Sequence, residues 1–359
     1  MSEWKEYKLG ELLEIKYGKD HKHLADGEFP LYGSGGIMRY VEKPIYESET
    51  ILIPRKGTLT NLFYVDQPFW AVDTIFWSKI DASKSLGKFL YYVLKTHDLA
   101  SLNVGSAVPS LTTEVLNDFR ISIPEISVQK NIVGVLSSLD YKIDLLHRQN
   151  KTIEELAETL FRQWFVEEVN ENWEEKGLDE IADFLNGLAC QKFPIKANEL
   201  GLPVIKIKEL RTGITDASDM ATNDVPEKYL VNEGDILFSW SGSLALVLWA
   251  GEQGVLNQHL FKVTSSEFPQ WFCYFWIKYH LPYFIGVAED KATTMGHIQR
   301  HHLSSALVVV PPKLKLDEYH QTIEPLFSKL KSNSRQIQTL RQLRDDLLPK
   351  LMSGEIKVN

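Results

Sequence analysis

Cysteine is nearly missing from this chain: Cys190 and Cys273 are the only two among 359 residues. They are too few for a disulfide framework and too far apart for a metal-binding pair, so a reducing compartment is the default. Long apolar runs are missing too. The longest, "LALVLWAG" and "LVVVPP", fall far below the roughly 20 residues of a membrane span and suit buried strands. The start, "MSEWKEYKLGEL", has no basic stretch followed by an apolar one, so no signal peptide is expected. The expectation is a soluble, cytoplasmic protein with no membrane partner. Positive charge is in short supply, with a net charge of −9. Residues 166–316 carry 13 basic residues against 20 acidic ones, whereas residues 317–359 carry 7 against 6. This counts against a surface that binds nucleic acid by bulk positive charge, and any such site must be a small patch or rely on a partner.

Catalytic signatures are absent as well. No GxxxxGK[ST] loop is present to cradle a nucleotide phosphate. No Asn-Pro-Pro-aromatic motif of amino-methyltransferases occurs, nor a glycine-rich turn suited to adenosylmethionine. Asp20-His21-Lys22 has the form of half a nuclease site, without the partner acid such a site needs. His297, His301 and His302 lie close together, but no cysteine or carboxylate joins them at helical spacing, so surface or capping roles fit better than a metal. The expectation is no catalytic residue, no metal and no cofactor.

What the chain does have is a repeat. "WKEYKLGELLEIKYG" (Trp4–Gly18) matches "WEEKGLDEIADFLNG" (Trp173–Gly187), with Trp4 on Trp173, Leu9 on Leu178, Glu11 on Glu180 and Gly18 on Gly187. "TILIPRKGT" falls on "DILFSWSGS", with Gly57 on Gly242, and "VPSLTTEVLNDFRISIP" on "MGHIQRHHLSSALVVVP". A helical pattern follows each terminal proline. Within the units, short β-branched and aromatic runs alternate with turn residues, and "LGKFLYYVLKTH" and "PQWFCYFWIKYH" are helical. There is no regular βαβ alternation, so the fold class is α+β. The division is a globular unit at 1–128, a helix at 129–165, a second unit at 166–316 and a helix at 317–359.

The first long helix has apolar residues at Ile132, Leu136, Leu139, Ile143, Leu146, Ile153, Ala157 and Leu160. The second has them at Ile323, Leu326, Leu330, Ile337, Leu340, Leu347 and Leu351, with Asn333 and Arg344 in the remaining slots. This is a heptad pattern. Set antiparallel with Asn150 opposite Asn333, the two form a coiled coil in which Leu146 meets Ile337 and Leu136 meets Leu347. The asparagine pair then fixes register and orientation. Only Leu139 against Arg344 is a poor match. Pro325 is expected to kink or start the second helix. A paired core of about 29 residues spans ~42 Å. That length holds two pseudo-two-fold-related units a little more than one ~34 Å DNA turn apart.

The strings "LRDDLLPKLMSGEI", "TIEELAETLFRQWF", "LYGSGGI", "GDILFSWSG", "LNQHLFKV" and "TTMGHIQ" make the chain resemble the DNA specificity (S) subunit of type I restriction–modification enzymes. The resemblance covers essentially the whole chain. It implies two target-recognition domains, each reading one half of a bipartite, asymmetric double-stranded DNA site. It also implies helices that dock two methyltransferase (M) subunits, in a complex that two restriction (R) subunits can join. A repeat-built protein–protein scaffold without DNA readout is the alternative.

Base reading needs side chains that pair with base edges, on loops that come close to the groove. In the first unit Lys19, Lys22 and His23 follow Gly18. Tyr32, Ser34 and Arg39 surround "YGSGG", Arg55, Lys56 and Thr58 lie in "PRKGT", and Ser106 and Ser110 in "GSAVPS". In the second unit the candidates are Gln191 and Lys192 after Gly187, and Lys206 and Lys208 in "IKIK", whose alternation also suits the solvated face of a strand. Trp240, Ser241 and Ser243 lie in "SWSGS", Asn257, Gln258 and His259 in "NQH", and Thr293, Thr294 and His297 in "TTMGH".

Overall fold

The structure, a computed structural model, describes residues 4–105, 108–290 and 296–358. Two compact units divide the chain, residues 1–141 with 341–359 and residues 142–340, so each long helix contributes to both.

The first unit carries strands β1 (Lys5–Lys8), β2 (Leu13–Tyr17), β3 (Asp26–Gly33), β4 (Gly36–Val41), β5 (Thr50–Pro54), β6 (Phe63–Val65), β7 (Trp70–Ala71), β8 (Ile75–Ile80) and β9 (Arg120–Ile123). Its short helices are α1 (Gly87–Lys95) and α2 (Thr113–Asp118), and the long α3 (Ile126–Arg162) begins here. In the second unit β10 (Glu174–Gly177), β11 (Asp183–Asn186), β12 (Leu202–Ile205), β13 (Met220–Ala221), β14 (Leu230–Val231), β15 (Ile236–Ser239), β16 (Leu246–Leu248), β17 (Gly254–Leu256), β18 (Leu260–Thr264) and β19 (Leu307–Val310) follow. They are accompanied by α4 (Leu178–Ile181), α5 (Ile207–Thr212), α6 (Gln270–Asp290), α7 (Arg300–Ser305) and the long α8 (Lys313–Met352).

The two units share one internal plan. An antiparallel pair ties the start of each to its end: β1 with β9, and β10 with β19. A four-stranded antiparallel sheet follows in each, β2-β8-β5-β6 and β11-β18-β15-β16. A second sheet is built on one parallel pair, β3 with β7 in the three-stranded β4-β3-β7 and β12 with β17 in the four-stranded β13-β12-β17-β14. The repeated glutamates have a local cause. Glu11 Oε2 accepts the Lys8 N–H at 2.7 Å, and Glu180 Oε2 accepts the Gly177 N–H, each closing a short helical turn. The repeated Leu9 and Leu178 are wholly buried under those turns.

Each unit has its own core. Phe89, Leu90, Tyr92, Ile51 and Phe76 fill the first, with Ile132 and Leu136 of α3 and Leu348 and Leu351 of α8. The second is aromatic: Phe161, Phe165, Trp271, Phe272, Phe275 and Trp276 pack with Ile323, Phe327 and Leu330. Trp164 stacks on Tyr319 at 4.2 Å between centroids and 9°. Within the second unit, Asn150 Nδ2 donates to Leu330 O at 3.4 Å and Ser334 Oγ at 3.1 Å. Asn333 is fully buried there, and both of its amide atoms lack a partner among the described residues. Within the first unit, Arg344 Nη1 donates to Asp140 Oδ1 at 2.9 Å, so the arginine in an apolar slot is answered by a carboxylate one residue from Leu139.

Several expectations need correction. Pro325 does not start the second long helix, which begins at Lys313 directly after Pro311-Pro312 and runs through Pro325. A proline just before the first turn sacrifices no helical hydrogen bond, which suits Pro312 to that start. Leu348 is the buried residue of its pair and Leu347 only half-buried, because a 3.6-residue turn drifts from a strict heptad. "IKIK" is not a strand: β12 stops at Ile205, Lys206 caps α5, and Lys208 lies within that helix. "FYVDQPFWAV" is two short strands broken at Asp66–Phe69. The helix at the C-terminus ends at Met352, and Gly354 follows in the left-handed region with φ 74°. No helix among the described residues is long and apolar enough to cross a membrane.

Candidate nucleic-acid interface

In the first unit the candidate loops converge on one turn, Ala71–Thr74, which links β7 to β8. Gly18 N–H donates to Ile75 O and Lys19 N–H to Ala71 O, both at 2.9 Å. Val72 N–H donates to Tyr32 O at 3.0 Å, and Arg55 N–H to Thr74 O at 2.9 Å. Gly18 is required by this closeness, since a Cβ there would lie 2.0 Å from Val72 O. Arg55 Nη1 donates to Asp73 O at 3.1 Å, and its guanidinium lies 5.1 Å from the centroid of the half-exposed Tyr17 ring. Gly57, at φ 87°, turns the loop so that its N–H reaches Pro109 O at 3.1 Å, with Ser110 paired to Lys56 beside it. Ser34 lies beside this loop, with its Oγ 3.6 Å from where a Cβ on Gly57 would sit, and its carbonyl accepts from Asn61 Nδ2 at 3.0 Å. Lys19, Lys22, Lys56 and Thr58 are exposed, and the three lysines form no ion pair among the described residues.

Other first-unit candidates serve the fold. Arg39 pairs with Asp26 at 2.8 Å and donates to His21 O and Leu24 O, pinning the loop that carries Lys22 and His23. His23 stands edge-on to Trp70 at 6.0 Å. Tyr32 is half-buried, and burial raises its phenol pKa above the ordinary value. Ser106 lies outside the described residues.

The second unit repeats the arrangement around Leu256–His259. Gly187 N–H donates to Leu260 O at 3.1 Å, Leu188 N–H to Leu256 O at 2.8 Å and Asn257 N–H to Ile205 O at 3.1 Å. A Cβ on Gly187 would lie 2.3 Å from Asn257 O. Gly242, at φ 64°, sends its N–H to Gly296 O at 2.9 Å, and Ser241 pairs with His297. Trp240 Nε1 donates to Asn186 Oδ1 at 3.0 Å and to Gln258 O at 3.1 Å. Ser241 Oγ and His259 Nδ1 are 2.9 Å apart, and Gln258 Nε2 and His259 Nε2 are 3.3 Å apart. His297 stands edge-on to Trp240 at 6.3 Å. The side chains are thus held in place before any ligand arrives.

Asn257 is buried and its Oδ1 accepts the His259 N–H at 3.2 Å, so it shapes the turn. Lys206 pairs with Asp219, whereas Lys208 is exposed. Gln191 and Lys192 are exposed on a short helical turn at Cys190–Lys192. Ser243 is exposed and, with Arg211, Leu244 and Ile285, lines a cavity of about 360 Å³. Thr293 and Thr294 lie outside the described residues. His302 Nδ1 accepts the Gln299 N–H at 2.9 Å, capping α7. Residue-by-residue reading missed Asp73 and Thr74. The register that sets Arg55 on Trp240 also sets "AVDTIF" on "LNQHLF", and that signal was available in the sequence.

One family, described as type I restriction modification DNA specificity domain, matches residues 1–155 and again residues 170–342. The chain belongs to that family. Among curated relatives of this DNA specificity chain, the type I restriction enzyme MjaIX specificity subunit of Methanocaldococcus jannaschii is 27% identical, covering 94% of this chain and 86% of the relative. The type I restriction enzyme HindI specificity subunit of Haemophilus influenzae is 20% identical over 99% of this chain and 100% of its own length. Among solved structures, the type I restriction–modification S subunit from M. genitalium aligns with TM-score 0.62 at 16% identity, over 98% of this chain and 96% of that one, which establishes a common fold. The two matched segments are the two repeats, so the duplication coincides with two specificity domains.

Proposed function

We propose that this chain is the non-catalytic DNA specificity subunit of a type I restriction–modification complex, and that each domain reads one half of a bipartite, asymmetric double-stranded DNA site. The observation that carries the reading is the repeated constellation. In each of two domains matched to a DNA specificity family, a left-handed glycine loop, a glycine directly after a strand and one strand-connecting turn gather the candidate side chains. Lys19, Lys22 and Lys56, unpaired among the described residues, suit phosphate contacts, and Gln258 and His259, the latter held by the buried Ser241, suit base edges.

In this reading α3 and α8 pair antiparallel as a coiled coil with pseudo-two-fold symmetry, which sets the spacing between half-sites. Support comes from Asn150 bonding at Leu330 and Ser334, and from Ile143 and Leu146 packing with Ile337. The same helices dock two methyltransferase subunits, to which two restriction subunits can add. The partners then supply much of the phosphate neutralisation that a chain of net charge −9 lacks.

Methylome sequencing of a host carrying the chain and its methyltransferase partner, set against a deletion of the chain, tests the function. A bipartite methylated motif that disappears with the deletion is expected. A complex that assembles yet leaves every motif unchanged would remove the specificity role.

A further inference from the structure

The two domains keep one backbone frame around the connecting turn and change the side chains displayed on it. Four hydrogen bonds recur in kind: Gly18 to Ile75 and Gly187 to Leu260, Val72 to Tyr32 and Asn257 to Ile205, Arg55 to Thr74 and Trp240 to His259, Gly57 to Pro109 and Gly242 to Gly296. Where the frame needs it, the residue type is kept, as at Gly18 and Gly187 or Gly57 and Gly242. On the turn it is not: Asp73 occupies the place of Gln258, and Thr74 that of His259. A duplicated reader that holds its frame fixed and exchanges hydrogen-bonding groups on one turn is suited to two different half-sites.

Asp73 is otherwise unexplained. Its carbonyl is held by Arg55 Nη1, but its carboxylate is exposed and has no hydrogen bond or ion pair among the described residues. A free carboxylate among Lys19, Arg55 and Lys56 weakens attraction to phosphate. It does not cap the turn either. A carboxylate only accepts, and the group on a major-groove base edge that only donates is an amino group. We propose that Asp73 reads the first half-site by accepting from the exocyclic amino group of cytosine, while Gln258, with both a donor and an acceptor, takes adenine at the corresponding step of the second. This inference rests on the specificity reading above.

The test is selection of bound duplexes from a randomised library by the complex of full-length chain and methyltransferase, comparing wild type, D73N, D73A and Q258A. In D73N and D73A one position of the first half-site changes, with preference for cytosine falling at least about fivefold, and the second half-site stays intact. D73N gains adenine at that position, because a carboxamide pairs with its N6 and N7. Q258A relaxes one position of the second half-site alone. If the position sensitive to Asp73 is adenine in the wild type, the amino-group contact stands and the cytosine assignment falls. A first half-site unchanged in both Asp73 variants, or lost at every position together, overturns the inference. A wild-type complex that selects no bipartite motif sinks the specificity reading itself. Retention of the remaining positions of the first half-site excludes misfolding of that unit as the cause of the change.

Discussion

Gly18 and Gly187 show how much a single residue decides here. Each directly follows a strand, where another backbone passes so close that a Cβ would sit 2.0 Å or 2.3 Å from a carbonyl oxygen. G18A and G187A are each expected to destabilise the chain by about 1–3 kcal/mol, as overpacking does. Differential scanning calorimetry would read this as a lowered transition temperature, and a transition left where it was would refute the close-approach argument. The repeat made these glycines visible in the sequence. Arg39, Lys206 and Asn257 were not separable there, because a polar residue in a glycine-rich loop looks the same whether it faces a ligand or holds the loop. Only the structure reveals Asp26, Asp219 and the His259 N–H as their partners. The two thiols give a second prediction at this scale. Burial pushes Cys273 up to about 12 and raises Cys190 above the ordinary thiol value. Both therefore stay protonated at pH 8, and iodoacetamide should leave both unmodified by mass spectrometry until the chain unfolds.

At the scale of elements, the long helices were legible because a seam repeating every three or four residues survives any tertiary context. The short strands were less so, since a break such as Asp66–Phe69 depends on what pairs across the sheet. Lys206 and Lys208 are a related case, where a strand-like alternation gives way to a cap and a helix. Glu209 decides it: its Oε2 accepts the Lys206 N–H at 3.2 Å, and its Oε1 takes the Ser218 hydroxyl at 2.9 Å. Asn333 is the element-scale prediction. It is fully buried with both amide atoms unpaired among the described residues, whereas Asn150 keeps two hydrogen bonds from its Nδ2 to the facing helix and leaves only its Oδ1 unpaired. Asn333→Leu removes that penalty and should stabilise the chain by about 1–3 kcal/mol. Asn150→Leu discards hydrogen bonds and should not stabilise it. Urea denaturation of both variants decides the matter; a destabilised N333L would mean that the asparagine is satisfied, for instance by water.

Over the whole molecule the governing quantity is charge. A chain of net −9 carries two DNA specificity domains, and among the described residues its candidate surfaces hold few unpaired cations, Lys19, Lys22 and Lys56 in the first and Lys192 and Lys208 in the second. Affinity for DNA falls with salt in proportion to the phosphates neutralised, with a slope of about −0.9 per contact on a logarithmic plot. The isolated chain is therefore expected to bind DNA weakly, with a slope no steeper than about −4.5, and the complex with its methyltransferase partner to be steeper by several units. Fluorescence anisotropy of a labelled duplex across a salt series measures both. The division of labour behind this prediction is physical: phosphate contacts position a protein on DNA and base contacts specify the site. A subunit that leaves the first task to its partners can keep an acidic surface and confine its polar chemistry to two turns. Equal slopes for chain and complex would show instead that this chain carries its own phosphate grip, and the lysines of the two turns would then be too few to account for it.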